Sequence, residues 1–177
     1  TCPPELLDLT PFYHRGLNRH WLDLEPYQMD LRELPHGRAT LAGVEFDIRG
    51  VFQAGSVREP FPPSASGLRV GLKCRRLHFL HAADVAEAAG TRIGFYHANY
   101  ADGQGQDIPI IYGKDLLAWL LESPADSAGG VVVAWRKDYP NGVIQQLYKS
   151  TWENSRPDVE IDTLDLVSTM TGSGPFV

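Results

Sequence analysis

Cysteine is scarce in this chain of 177 residues: only Cys2 and Cys74 occur, with no CxxC pair and no Cys/His spacing of a structural zinc site. A disulfide-dense scaffold is excluded, and the pair fits either a single Cys2–Cys74 bridge or two thiols. No apolar run approaches the roughly 20 residues that cross a bilayer as a helix, and no charged-then-apolar signal segment opens the sequence. Positive charge is in deficit, with 16 Lys and Arg against 22 Asp and Glu for a net charge of −6. The long-range field therefore repels phosphate backbones and anionic lipid, so neither nucleic acid nor membrane insertion is expected.

Chemical signatures are missing too. There is no GxSxG elbow, Walker loop or dinucleotide fingerprint, and Gly103-Gln104-Gly105 sits between two β-rich runs rather than before a helix. No HExxH or HxxxH pair exists among the six histidines, and His14, His20 and His36 fall in irregular segments. His78 and His81 are three apart on an expected strand, so they point to opposite faces and each needs its own polar partner. Asp158, Glu160 and Asp162 alternate, as does the solvated face of a strand whose inward residues are Val159 and Ile161. Glycosidase carboxylates must instead converge on one bond. The chain is expected not to be an enzyme. No cofactor is implied, although Asp102 and Asp107 flank a turn and leave a structural Ca²⁺ open without EF-hand spacing.

What is abundant is punctuation. Seventeen glycines and thirteen prolines cut the chain into short segments, the pattern of an all-β sandwich. Val44-Glu45-Phe46-Asp47-Ile48-Arg49 alternates strictly, one face apolar and one charged, and Gly50 then marks a bulge or a bend that lets the chain switch sheets. Strands are expected at residues 68–70, 74–82, 144–152 and 159–168. Residues 93–100 and 106–111 flank Ala101-Asp102-Gly103, the strongest hairpin signal, and Pro109 assigns the second strand to a sheet edge. Val131-Val132-Val133-Ala134-Trp135 reads as a buried strand, and residues 138–142 as a turn. Residues 123–130 read as a loop. Lys114 to Leu121 carries good helix formers with Leu116, Leu117, Leu120 and Leu121 on one face, which predicts a short helix plugging one end.

The expected fold is one antiparallel β-sandwich domain over residues 1–177, with one or two short helices. Residues 1–40 wrap a core formed by 41–177. The Pro-rich start and the stop within an apolar stretch predict a module cut from a longer polypeptide. Aromatic rings suit stacking on sugar faces, with Asp and Arg reading hydroxyls, although the same rings suit a sandwich core. The candidate ligand-binding residues are Trp21, Tyr96 and Tyr139 for stacking, with Asp102 and Arg156 as polar readers. Tyr139, in a turn, is the least suited of the aromatics to a core.

Several segments carry a resemblance. They are Gly43 to Gly50, Cys74-Arg75-Arg76-Leu77-His78-Phe79-Leu80-His81, and Tyr100-Ala101-Asp102-Gly103 leading to Ile108-Pro109-Ile110 and Trp119. Thr151-Trp152-Glu153-Asn154 with Arg156-Pro157-Asp158-Val159-Glu160-Ile161 completes the set. The chain, over about residues 8 to 177, resembles the galactose-binding-like jelly-roll domains appended to glycosidases and to large bacterial multidomain proteins, carbohydrate-binding modules among them. The resemblance implies two antiparallel sheets, ligand sites in loops at one end, and an extracytoplasmic or secreted setting. It implies a non-catalytic module that binds carbohydrate or, alternatively, docks neighbouring protein domains. It also implies that Trp152 packs inward while Asn154 and Arg156 fix a loop. Two departures stand out: Ser155 where proline is expected, and little of the apolar strand expected after Phe176-Val177, which leaves a core position to be filled by further residues or a neighbouring chain.

Overall fold

The computed structural model describes residues 5–14, 16, 17, 31–122 and 131–177. Cys2, His20, Trp21 and the loop expected at 123–130 lie outside the described residues. Two antiparallel sheets face each other as an all-β sandwich. One contains β3 (Ser64–Leu72), β5 (Arg92–Tyr100), β6 (Gly105–Ile111) and β10 (Ile161–Ser168), in the order β3-β10-β5-β6. The other is built on β9 (Ile144–Glu153), with β8 (Val132–Asp138) along one edge. Along the other edge of β9 lie β4 (Arg76–Ala83) and the short β7 (Leu120–Leu121), and β4 in turn pairs with β11 (Pro175–Phe176). A separate hairpin joins β1 (Gly37–Leu41) to β2 (Val44–Ile48).

The core lies between the sheets. Phe79 of β4 stacks on Tyr96 of β5 with ring centroids 3.9 Å apart, and Trp119 meets Phe176 edge-on at 6.1 Å. Leu17, Leu31 and Leu34 are buried in the same cluster, so the described part of the N-terminal region covers the sandwich as expected. Past Gly50 the chain leaves the hairpin: Phe52 and Val177 exchange backbone hydrogen bonds at 2.9 Å, and Gln53 bridges Phe176. The bend at this glycine thus carries the chain to the edge of β11.

The β5–β6 hairpin forms where its turn residues predicted it. Gly103 sits at φ +84°, where a Cβ would strain the backbone, and the Asp102 carboxylate accepts from the Gln104 amide at 3.2 Å. Pro109 lies opposite Phe95 in β6, which has no further strand beyond it among the described residues, so its missing amide breaks no ladder.

Two expectations are corrected. Residues 114–121 form no helix; among the described residues the only helical element is a 3-10 turn, Thr10–Phe12. The segment instead gives its backbone to the sheet: Ala83 N–H donates to Leu117 O, Trp119 N–H to Ala83 O, and Gln146 N–H to Trp119 O. That route buries Leu116 and Trp119 almost fully, and tertiary burial overrides a helix propensity worth only tenths of a kcal/mol per residue. The second correction concerns β8, expected to be buried. It lies at the edge, paired only with β9 among the described residues, and Val132 is 42% exposed. A β-branched run marks a strand but does not say how many neighbours that strand has.

Candidate binding site

Residues 154–156 make a loop closed on itself. Asn154, 7% exposed, donates from Nδ2 to the carbonyls of Cys74 at 2.9 Å and Arg156 at 3.3 Å. Its Oδ1 accepts from the Tyr100 hydroxyl at 2.6 Å and the Arg156 amide at 2.8 Å. Ser155, at the position where proline was expected, donates to Gln106 Oε1 at 3.0 Å, so a hydrogen bond holds the loop instead of a ring. The Arg156 guanidinium lies over the Tyr100 ring, 4.6 Å from its centroid, and reaches Asp102, whose Oδ1 is 3.3 Å from Nη1. The hydrogen bond from Arg156 holds the Asp102 carboxyl below the usual carboxylate range, with the Gln104 amide assisting.

The five candidate residues do not converge. Asp102 and Arg156 meet, beside Tyr100, Gln106 and Asn154, which the sequence reading left out of the site. Tyr139 is half-buried in the β8–β9 turn and donates to Gln145 Oε1 at 3.1 Å. That turn precedes β9 and Arg156 follows it, so the length of a ten-residue strand, about 33 Å at the usual rise, separates them. Tyr96 is 3% exposed and stacked in the core, its hydroxyl 3.1 Å from His81 Nδ1; as an exposed stacking platform it is corrected to a core residue. Trp21 lies outside the described residues.

The histidines behave as strand periodicity requires. His78 is exposed and bonds Thr151 Oγ1 at 2.8 Å across the β4–β9 pair, whereas His81 faces the interior. Burial pushes the His81 imidazole from 6.5 down to about 4, so it is neutral near pH 7. Among the described residues no three His, Cys, Asp or Glu side chains group as metal ligands. Asp102 faces Arg156, and Asp107 faces Arg92 and His97. Burial raises the Cys74 thiol.

The concave feature of the molecule lies elsewhere. A cavity of about 230 Å³ opens beside β4, between Leu77 and Phe79 on one wall and Phe46 and Ile48 of β2 on the other, floored by Leu164 and Leu166 of β10. Its lining is mainly apolar; Glu45, Asp47, Arg76, His78 and Asp165 are among the few charged or polar side chains at it. Asp47 is already ion-paired with Arg49 at 2.6 Å. Phe176 and Val177 also line the cavity, so the end of β11 points along it.

A buried anchor sets that direction. The Asp84 carboxylate accepts from Gln53 Nε2 at 3.0 Å, the Ser173 hydroxyl at 2.9 Å, and the amides of Gly174 at 2.8 Å and Val85 at 2.7 Å. Desolvation nonetheless pushes its pKa up, since four neutral donors do not fully replace water. A Cβ at Gly174 would stand 2.4 Å from the Ala54 carbonyl oxygen, so only glycine lets the chain pass the anchor into β11. Sequence alternation in β2 and β4 marked the apolar side chains that line the cavity, but nothing in it showed that they share one.

No protein-family model matches the chain, and no curated protein matches it. No helix among the described residues is long and apolar enough to cross a membrane.

Proposed function

We propose that this chain is a non-catalytic binding module that docks an apolar part of a partner in the cavity between β2 and β4. One observation carries the reading: a mainly apolar concavity stands open where the rest of the sandwich is closed. Close packing is the rule inside proteins, and an apolar space of this size gains free energy when apolar groups fill it. The carbohydrate reading draws on less. Trp119, Tyr96, Tyr112 and Tyr148 are in the core, and the remaining described candidates sit at opposite ends of β9. The non-catalytic reading is supported by where the acidic and polar groups lie. Asp158 and Asp162 are exposed, and the buried Asp84 and Asn154 use their polar atoms to hold backbone.

Fluorescence of 1-anilinonaphthalene-8-sulfonate with the full chain tests this. Enhancement is expected with the native protein and at least a fivefold smaller one with Leu77→Glu, circular dichroism showing both folded. Equal enhancement in the two, or none with the native chain, defeats the reading. A panel of polysaccharides in calorimetry is expected to give no heat of binding.

A further inference from the structure

The two edges of β4 differ. One is paired with β9 throughout residues 76–81, from Arg76 opposite Glu153 to His81 opposite Tyr148. On the other edge β11 pairs only with Ala82 and Ala83. Beyond that point, among the described residues, no strand completes the edge of β4, and the cavity lies alongside it. We propose that the cavity takes a peptide partner in extended conformation, apolar at alternate positions, which adds to the free edge of β4 antiparallel to it and in line with β11. This rests on the reading of the cavity as the docking site and names its ligand.

Three observations support a strand over another occupant. Backbone pairing is the first: an open edge offers N–H and C=O groups that an extended peptide satisfies and a compact apolar ligand cannot. The second is register. β11 sets Pro175 opposite Ala83 and Phe176 opposite Ala82; continuing that count places Val177 opposite His81 and the next five positions opposite Leu80, Phe79, His78, Leu77 and Arg76. Along β4 Phe79 is buried and Leu77 half-buried, while His78 and Arg76 are exposed. Residues directly opposite share a face, so the partner needs apolar side chains opposite Phe79 and Leu77 and polar ones opposite His78 and Arg76. Size is the third. At about 230 Å³ the space falls short of pockets that engulf small molecules, roughly 300–1,000 Å³, but suits a few side chains delivered from a backbone outside it.

The edge is held ready by the Asp84 anchor, whose bonds to Gln53, Ser173 and Gly174 fix the approach of β11 to β4. A strand arriving there meets a preformed template, which lowers the ordering cost of binding.

The test uses the full chain and three synthetic eight-residue peptides: one with alternating valine and threonine, one of the same composition scrambled to break alternation, and one alternating but N-methylated at every second amide. The alternating peptide is expected to displace 1-anilinonaphthalene-8-sulfonate at a concentration at least tenfold lower than either other peptide. It is also expected to slow hydrogen exchange of amides within residues 76–81 at least tenfold. Equal displacement by the three peptides, or dye displacement without protection of β4, overturns the strand while leaving the docking cavity standing. Absence of dye binding to the native chain defeats the docking reading itself. Sedimentation showing a dimer that the alternating peptide does not dissociate would assign the edge to a second copy and also overturn the proposal.

Discussion

Around Asn154 the side-chain amide, the Tyr100 hydroxyl and the Arg156 backbone satisfy one another in four hydrogen bonds, while beside β4 a mainly apolar cavity lies against a strand edge that stops pairing at Ala82. The first region carries the polar and aromatic residues that suggest recognition, yet its groups are committed to each other. The second is built from ordinary core residues and is left incomplete. Polar side chains clustered in a loop are as much the mark of a loop being held as of a ligand being read. An unfilled apolar space beside unpaired backbone has no such internal explanation.

That contrast collapses most fully if the anchor common to the sandwich and the cavity is removed. Asp84→Ala leaves four donors without their acceptor and is expected to cost about 4 kcal/mol in urea unfolding, with loss of dye binding as β11 detaches from β4.

The buried histidine gives a pH-dependent version of the same test. His81 has a folded-state pKa of about 4 against an ordinary 6.5, so the unfolded chain takes up the proton first and stability falls as pH drops through that window. The loss approaches about 3 kcal/mol at full titration. Asp84 and Asp115, raised by burial, act in the opposite direction just above their ordinary 3.8. Urea unfolding at pH 7.0 and 4.5 is therefore expected to show a smaller acid loss in His81→Phe than in the native chain. An unchanged difference would place the titration elsewhere.

Asn154→Ala sharpens the contrast from the loop side. It is expected to lower stability by about 2 kcal/mol without changing peptide displacement at the cavity. Leu77→Ala does the reverse: beside an existing void it is expected to cost about 1 kcal/mol, at the low end for core truncations, and to weaken peptide binding at least fivefold. The smallest effect belongs to Arg156→Met. Its pair with Asp102 is solvent-exposed, so thermal unfolding is expected to differ little from the native chain and not at all in high salt.

Much of the strand layout was legible. Val44 to Ile48 alternates because one face packs and one is wet, and Asp102-Gly103 turns because glycine accepts the positive φ found there. Asn154 was readable as a loop clamp. The failures share a cause: Lys114 to Leu121 has the local composition of a helix, but Ala83 and Gln146 offer its backbone partners from 31 or more residues away in the chain, and β8 has the composition of a central strand without a second neighbour. The candidate site failed in the same way, since Tyr139 and Arg156 look equally loop-borne until β9 separates them.

Local stereochemistry, period-two alternation and turn residues by themselves determined that this chain forms antiparallel sheets and which side chains in many of its strands face inward. Only the tertiary structure decided which strand edges find partners, that Tyr96 belongs to the core, and that Leu77, Phe46 and Leu164 surround one cavity. Side-chain orientation is set residue by residue along the backbone, whereas pairing and enclosure depend on segments far apart in the chain meeting in space.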